Sequence, residues 1–239
     1  MYSKLIRKYK SPLSWTALSL SRIMHSLILI DGDDVDQTNV HGGQLYRTED
    51  VGIKKVYAVT AICRQFGCTN SIMPVTEMYE SSTGMTDICI TGLDNMKARK
   101  EVFNSWLKHT SEKSPENLSE CLFIDGRMSG ELCEVFVIQG NNEDQIHEYQ
   151  EKWLFDDSEV QELECTRKQT TFMGMYIGAL ITSLLTNWLT NNKLGMELRE
   201  VPFHTKFYSP ILDFKYKLHK KPKRVSPLKY PEALSITVV

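Results

Sequence analysis

The stretch from Leu27 to Val56, LILIDGDDVDQTNVHGGQLYRTEDVGIKKV, is the part of the chain that most restricts its fold. It opens on a continuous apolar run, Leu27 to Ile30, that stops at Asp31. This is the pattern of a buried parallel strand ending in a carboxylate. An acid at the carboxyl end of the second strand of a βαβ unit is where nucleotide folds hold ribose hydroxyls. A polar turn follows (Thr38, Asn39, His41, Gly42, Gly43), and then Gly52, Lys54 and Lys55 lead into a helical pattern. Val56, Val59, Ile62 and Cys63 recur at helical spacing until Gly67, so residues 51–67 are predicted to be helical. Carboxylate, loop and lysines within one segment predict the floor of a nucleotide site.

A second constellation lies downstream. Asp87 to Ile90 reads as a strand that runs into TGLDNMKAR, where Asp94 is placed to cap a helix through about Leu107. Asp94, Asn95 and Arg99 stand there in order. The plain reading is a cap followed by a helix-face arginine. The sharper one is a hard oxygen ligand for magnesium.

Taken as an ordered set, these residues resemble the ThiF/MoeB family, the adenylating half of ubiquitin-activating-type enzymes. The matching positions are Asp31 and Asp33, Asp36, Thr38 and Asn39, then Asp50, Val51, Gly52 and Lys55, and finally Asp94, Asn95 and Arg99. Ile124 to Met128 (IDGRM) is similar to a strand and turn of phage and bacterial ThiF-like proteins, with Asp125 and Arg127 as turn and pairing residues. The resemblance implies an α/β, Rossmann-like ThiF-type fold: a largely parallel central sheet flanked by helices, with an antiparallel extension. It implies ATP and Mg²⁺ as cofactors and a ubiquitin-like or sulfur-carrier protein as partner, within a homodimer. Asp31 would then hold the ribose, Asn39 and Lys55 would address the phosphates, Asp33 and Asn95 would be further nucleotide-binding residues, and Asp94 would hold the metal. Arg99 would support the same loop. Cys165, flanked by Arg167 and Lys168, would be the thiol that accepts sulfur or the carrier's carboxyl group, with packing as the alternative.

Two departures from the family pattern bear on activity. The family's arginine falls on Gly42, with Arg47 or Arg127 as the available replacements. The expected Gly-x-Gly-x-x-Gly loop, which lets backbone approach phosphate, falls on Lys8-Tyr9-Lys10-Ser11-Pro12-Leu13, with no glycine. A first strand over 3–7 and a helix from Trp15 to about Met24, capped by Ser14, would flank that loop. Two readings therefore stand, an adenylating enzyme and a catalytically impaired relative that keeps the fold as a binding or dimerisation scaffold. A nucleotide-binding enzyme of unrelated chemistry is the third.

The rest of the chain sets the organisation. Residues 70–76 read as a strand in which Pro74 argues for an edge position or an irregular strand, 108–118 as a polar loop, and Cys121 to Ile124 as another buried strand. Leu132 to Ile138 alternates as a further strand, 140–163 is an acidic surface, and 195–201 is the strand after the long helix. The apolar stretch Phe172 to Leu189, broken by Thr182, Ser183, Thr186 and Asn187, reads as a packed core helix rather than a membrane span. Residues 1–202 are expected to form the nucleotide-binding domain. Residues 203–239, lysine-rich and broken by Pro222, Pro227 and Pro231, are expected to form edge strands and a solvated tail. A net charge of −2 with 24% charged residues gives no global reason to expect a membrane or a specific nucleic acid as partner. With no apolar leader and no CxxC pair, a cytoplasmic protein without a structural zinc site is expected.

Overall fold

The computed structural model describes residues 13–21, 24–42, 44–156, 170–195, 198–219 and 235–239. Its strands are β1 (Ser26–Ile30), β2 (Ser71–Val75), β3 (Ile88–Thr91) and β4 (Leu122–Met128), then β5 (Leu132–Gln139), β6 (His204–Tyr208), β7 (Asp213–Lys217) and β8 (Ser235–Val238). They form one sheet in the order β2-β1-β8-β3-β4-β5-β6-β7. The first five in that order pair in parallel, and β4 through β7 continue it antiparallel. The α/β class, the largely parallel sheet and its antiparallel extension are as the sequence predicts.

Alternation along the strands divides the core in two. Leu27, Leu29, Ile88, Ile90, Leu122, Ile124, Val135 and Val137 point to one face. They meet α1 (Leu13–Leu20), α3 (Lys55–Gln65) and α6 (Thr171–Leu194) there. Ile30, Cys89, Phe123, Phe136 and Ile138 point to the other face, against Phe103 and Trp106 of α4 (Met96–Ser111) and Tyr149. Both faces are covered, so β1 and β3 read as unbroken apolar runs, as parallel strands should. The edges are protected by Pro74 in β2 and by Lys215 and Lys217 in β7.

The helix α6 is long and apolar enough to cross a membrane, but Met173, Ile177, Ile181, Leu185 and Trp188 are buried in the core. At Gly178 an added Cβ would sit 3.1 Å from the carbonyl carbon and the Cβ of Trp15. The missing side chain is what lets α1 and α6 approach so closely.

Several elements differ from the sequence reading. Ser14 lies inside α1 rather than capping it, and its hydroxyl accepts the Leu45 N–H at 3.1 Å, tying the helix to the loop after α2 (Gln37–His41). That helix ends at Leu20, not near Met24, while the predicted strand 3–7 lies outside the described residues. The helix expected over 51–67 begins only at Lys55, after a 3₁₀ turn over Thr48–Asp50, and stops where Gly67 takes φ 78°. α4 extends to Ser111 and takes the first turn of the predicted 108–118 loop. Within the acidic segment, α5 (Glu143–Glu148) runs into a π-helical turn, Tyr149–Trp153, whose Tyr149 is fully buried. No strand forms over 198–201. The Asn191 side chain there takes the Leu198 and Arg199 N–H groups and gives its own amide to the Arg199 carbonyl, using up the bonds a ladder would need. The next strand starts at His204.

The largest difference is β8. Residues 235–239, expected to belong to a tail, lie between β1 and β3, with Ile236 fully buried. In the Rossmann order 3-2-1-4-5, with β2 as strand 3 and β1 as strand 2, β8 occupies the place of strand 1. Strand 1 normally leads through the glycine-rich turn directly into the first helix. Here the strand in that place and α1 are far apart in sequence, so among the described residues no single segment runs from strand through turn into the first helix. The sheet thus takes strands from both sides of residue 202.

Candidate functional site

The carboxyl ends of β1, β8 and β3 lie side by side, and the predicted site residues follow the two outer strands. Asp31 follows β1. Its side chain is 13% exposed, its Oδ1 accepts the Asp33 N–H at 2.8 Å, and its Oδ2 is 4.0 Å from Lys55 Nζ. Burial pushes the Asp31 carboxyl above its ordinary value against the pull of Lys55, and the carboxylates of Asp33 and Asp94 add to the rise. Asp31 and Asp94 therefore share one electrostatic neighbourhood, although they come from different strands.

Lys55 reaches into this neighbourhood because its loop is stitched to the one carrying the aspartates. Asp34 and Lys54 form an antiparallel bridge, Val35 donates to the Ile53 carbonyl at 2.8 Å, and the Gly52 N–H returns to Val35 at 2.8 Å. Gly52 holds φ 86°, a turn that favours glycine. Lys55 Nζ then donates to Asp33 Oδ2 at 2.6 Å, while Lys54 Nζ donates to the Gly32 carbonyl at 2.7 Å. Lys55 is only 11% exposed at its side chain, a cation held between two acids at the strand end.

Asn39 is committed in part. Its Oδ1 accepts the Asp36 N–H at 2.9 Å, and Asp36 Oδ1 accepts the Asn39 N–H at 2.9 Å, a reciprocal cap for α2. Any ligand contact through the Asn39 side chain therefore falls to its Nδ2 amide. Gly42 ends the same helix, and a Cβ there would meet the Thr38 carbonyl oxygen at 2.5 Å. The glycine standing where the family has arginine is thus built into the turn. Of the two proposed replacements, Arg47 pairs with Asp50 at 3.0 Å and Glu49 at 3.4 Å, and Arg127 is buried against Phe136 and Tyr149.

The second constellation is corrected in one respect. Asn95, not Asp94, caps α4, its Oδ1 accepting the Ala98 N–H at 2.8 Å. Asp94 is left exposed, accepting from Asn95 Nδ2 at 3.1 Å, with its carboxylate available to a ligand. Arg99 does not sit on a helix surface. It is fully buried, with one guanidinium nitrogen on Asp125 Oδ1 and the other on the Leu93 carbonyl. Asp125 and Arg127 lie within β4 rather than in a turn. Asp125 Oδ2 accepts Arg127 Nε at 2.6 Å and the Tyr149 hydroxyl at 2.8 Å. Burial pushes this carboxyl up, but Arg127 and Arg99 outweigh it and hold it below the ordinary value.

Cys165 lies outside the described residues. Cys63, Cys68, Cys89, Cys121 and Cys133 are buried, and desolvation pushes the thiols of Cys121 and Cys133 up to about 12, which keeps them protonated. Among the described residues no three His, Cys, Asp or Glu side chains gather to hold a metal. An exposed lone carboxylate such as Asp94 fits magnesium, which takes one or two protein carboxylates and completes its shell with water and phosphate oxygens. Asp31 at a strand end likewise fits a ribose. The phosphate cradle fits less well, because the sequence Lys8 to Leu13 leading into α1 carries no glycine.

A largely parallel sheet with helices on both faces and Asp31, Lys55 and Asp94 at its strand ends defines a Rossmann-like α/β protein. More narrowly, the chain belongs to the ThiF family, whose model matches residues 14–222. Among solved structures it is similar to PaaA, with a TM-score of 0.61 at 14% identity over 90% of this chain and 64% of that one. It is also similar to E. coli MccB bound to MccA-N7isoASN, with a TM-score of 0.58 at 12% identity over 94% of this chain and 65% of that one. The same MccB with AMPCPP and MccA gives 0.59 at 11% identity, covering 94% and 66%. At these identities the likeness is one of fold, and the chain spans just under two thirds of these proteins. A comparison with curated proteins returned no significant match.

Proposed function

We propose that the chain is a ThiF-type adenylyltransferase that uses ATP to activate the terminal carboxylate of a ubiquitin-like or sulfur-carrier protein. The observation that carries this reading is the convergence of Asp31, Lys55 and Asp94 at the ends of β1 and β3, on either side of β8. In the reaction a carboxylate oxygen attacks the α-phosphorus, an acyl–O–P bond forms, and the bond to the β-phosphate oxygen breaks to release pyrophosphate. Asp31 binds the ribose hydroxyls, Lys55 and the Asn39 and Asn95 amides orient the phosphates, and Asp33 holds Lys55 in place. Asp94 would hold Mg²⁺, which when bound neutralises phosphate charge. Arg99 fixes the turn that presents Asp94. Cys165 is the candidate acceptor thiol, and a cytoplasmic homodimer is the working form the family implies.

The test is pyrophosphate exchange into ATP, driven by candidate acceptors. Short peptides belong in that panel beside folded carriers, because E. coli MccB has been crystallised with MccA. Acceptor-dependent exchange supports the enzyme. Exchange absent with every acceptor, while the protein stays folded, favours the second reading, a family member that keeps the fold as a scaffold. Gly42 and the lack of glycine in the sequence Lys8 to Leu13 favour that second reading.

A further inference from the structure

We propose that Asp125 is a positioning residue for the Asp94 turn, acting through Arg99. The proposal rests on the reading of Asp94 as a nucleotide-site residue. Asp94 is exposed, and its carboxylate accepts a hydrogen bond from the neighbouring Asn95 side chain, so its position is set by its backbone. That backbone is held from two sides. The Gly92 N–H donates to the Val239 carbonyl at 2.9 Å, which fixes the turn to the end of β8. The Leu93 carbonyl accepts from Arg99, which fixes it to α4 and, through the same guanidinium, to Asp125 in β4.

Arginine suits this task because its rigid planar fork addresses two acceptors at a fixed angle, whereas a lysine presents a point charge on a flexible stem. The fork is aimed by Asp125, which cannot move. It is fully buried in a central strand, paired in register with Thr91 at the end of β3, and gripped also by Arg127 and Tyr149. A buried cluster of this kind adds little stability over an apolar filling of equal volume. What it supplies here is a fixed distance from the sheet to the Leu93–Asp94 peptide. Arg127 carries the same anchor onward, donating to the Trp153 carbonyl at 2.9 Å, so one carboxylate references both the Asp94 turn and the turn after α5.

Two readouts test this, one without nucleotide. In the ligand-free full chain, Asp125→Asn should raise amide hydrogen exchange at Gly92–Met96 by about tenfold while leaving Leu27–Ile30 unchanged. MgATP affinity is then measured in a cycle of Asp94→Ala, Asp125→Asn and the double variant. Asp125→Asn alone should weaken binding by about tenfold, the scale of a lost supporting contact, and the double variant should bind no worse than Asp94→Ala. Fully additive losses, or unchanged exchange at 92–96, overturn the proposal. If Asp125→Asn does not fold, Arg99→Lys keeps the charge, loses the fork and is held to the same outcomes. A wild-type chain that binds no MgATP removes the nucleotide reading, and the exchange result then decides the positioning of the turn by itself.

Discussion

Asp31 carries its charge against the preference of its surroundings. Burial raises its carboxyl above the ordinary value and the attraction of Lys55 does not fully offset that. A group in this state weakens the fold while it is ionised, which is the mark of a side chain kept for what it binds. Asp31→Asn keeps the oxygen that accepts the Asp33 N–H but removes the charge. The folded protein should then melt at an equal or higher temperature, while nucleotide affinity falls by about tenfold, the loss of a charged hydrogen bond. A lower melting temperature with unchanged affinity would contradict the role assigned to Asp31.

Glu134 shows the opposite balance. It is buried, yet His204, Lys206 and Arg127 outweigh desolvation and hold its carboxyl down to about 2, against an ordinary 4.5. A depressed carboxylate contributes stability that is fully present above 4.5 and is lost as pH falls from there toward 2. The contribution is on the order of 3 kcal/mol, and acid unfolding of Glu134→Gln should lack that component. Denaturant midpoints of the two proteins measured from pH 6 down to pH 2.5 would check this (about 3 kcal/mol of extra acid loss in the wild type).

Among the elements, α6 shows what a helix gains from one missing side chain. Gly178 admits the backbone of Trp15, so Gly178→Val must push α1 away or strain its own rotamer. A cost of about 1–3 kcal/mol is expected, visible as a lower denaturant midpoint with little change in slope. An unchanged midpoint would contradict a close α1–α6 contact at Gly178.

The same scale shows what the chain reveals before it folds. The Asp31–Lys55 block was legible because its chemistry is local: a strand, a stitched loop and a helix start within one segment. At Asp94 and Asn95, neighbours of equal capping ability, no local signal separates cap from ligand. Arg99 followed the helix pattern onto a surface in the sequence, whereas its partner Asp125 lies on another strand that helical spacing does not register. Ser235–Val238 is a short β-branched run among prolines and lysines, and only its partners β1 and β3, far away in the chain, make it a central strand. Cys165 lies outside the described residues, so its role remains a proposal.

For the whole molecule, β8 is the joint on which the site depends. Among the described residues it is the strand that pairs the β2–β1 edge with β3 and the rest of the sheet, so it sets the distance between Asp31 and Asp94. The fold therefore sets the two acids on either side of β8, and the sequence Lys8 to Leu13 leading into α1 carries no glycine. Whether such a site works is a question about nucleotide binding before it is one about transfer. Calorimetric titration of the purified full chain with MgATP, with Asp94→Ala as control, asks it most directly. The account predicts micromolar binding that weakens by about tenfold or more in the variant, as expected for loss of a metal-holding carboxylate. No heat of binding at millimolar MgATP, with both proteins folded, would contradict it.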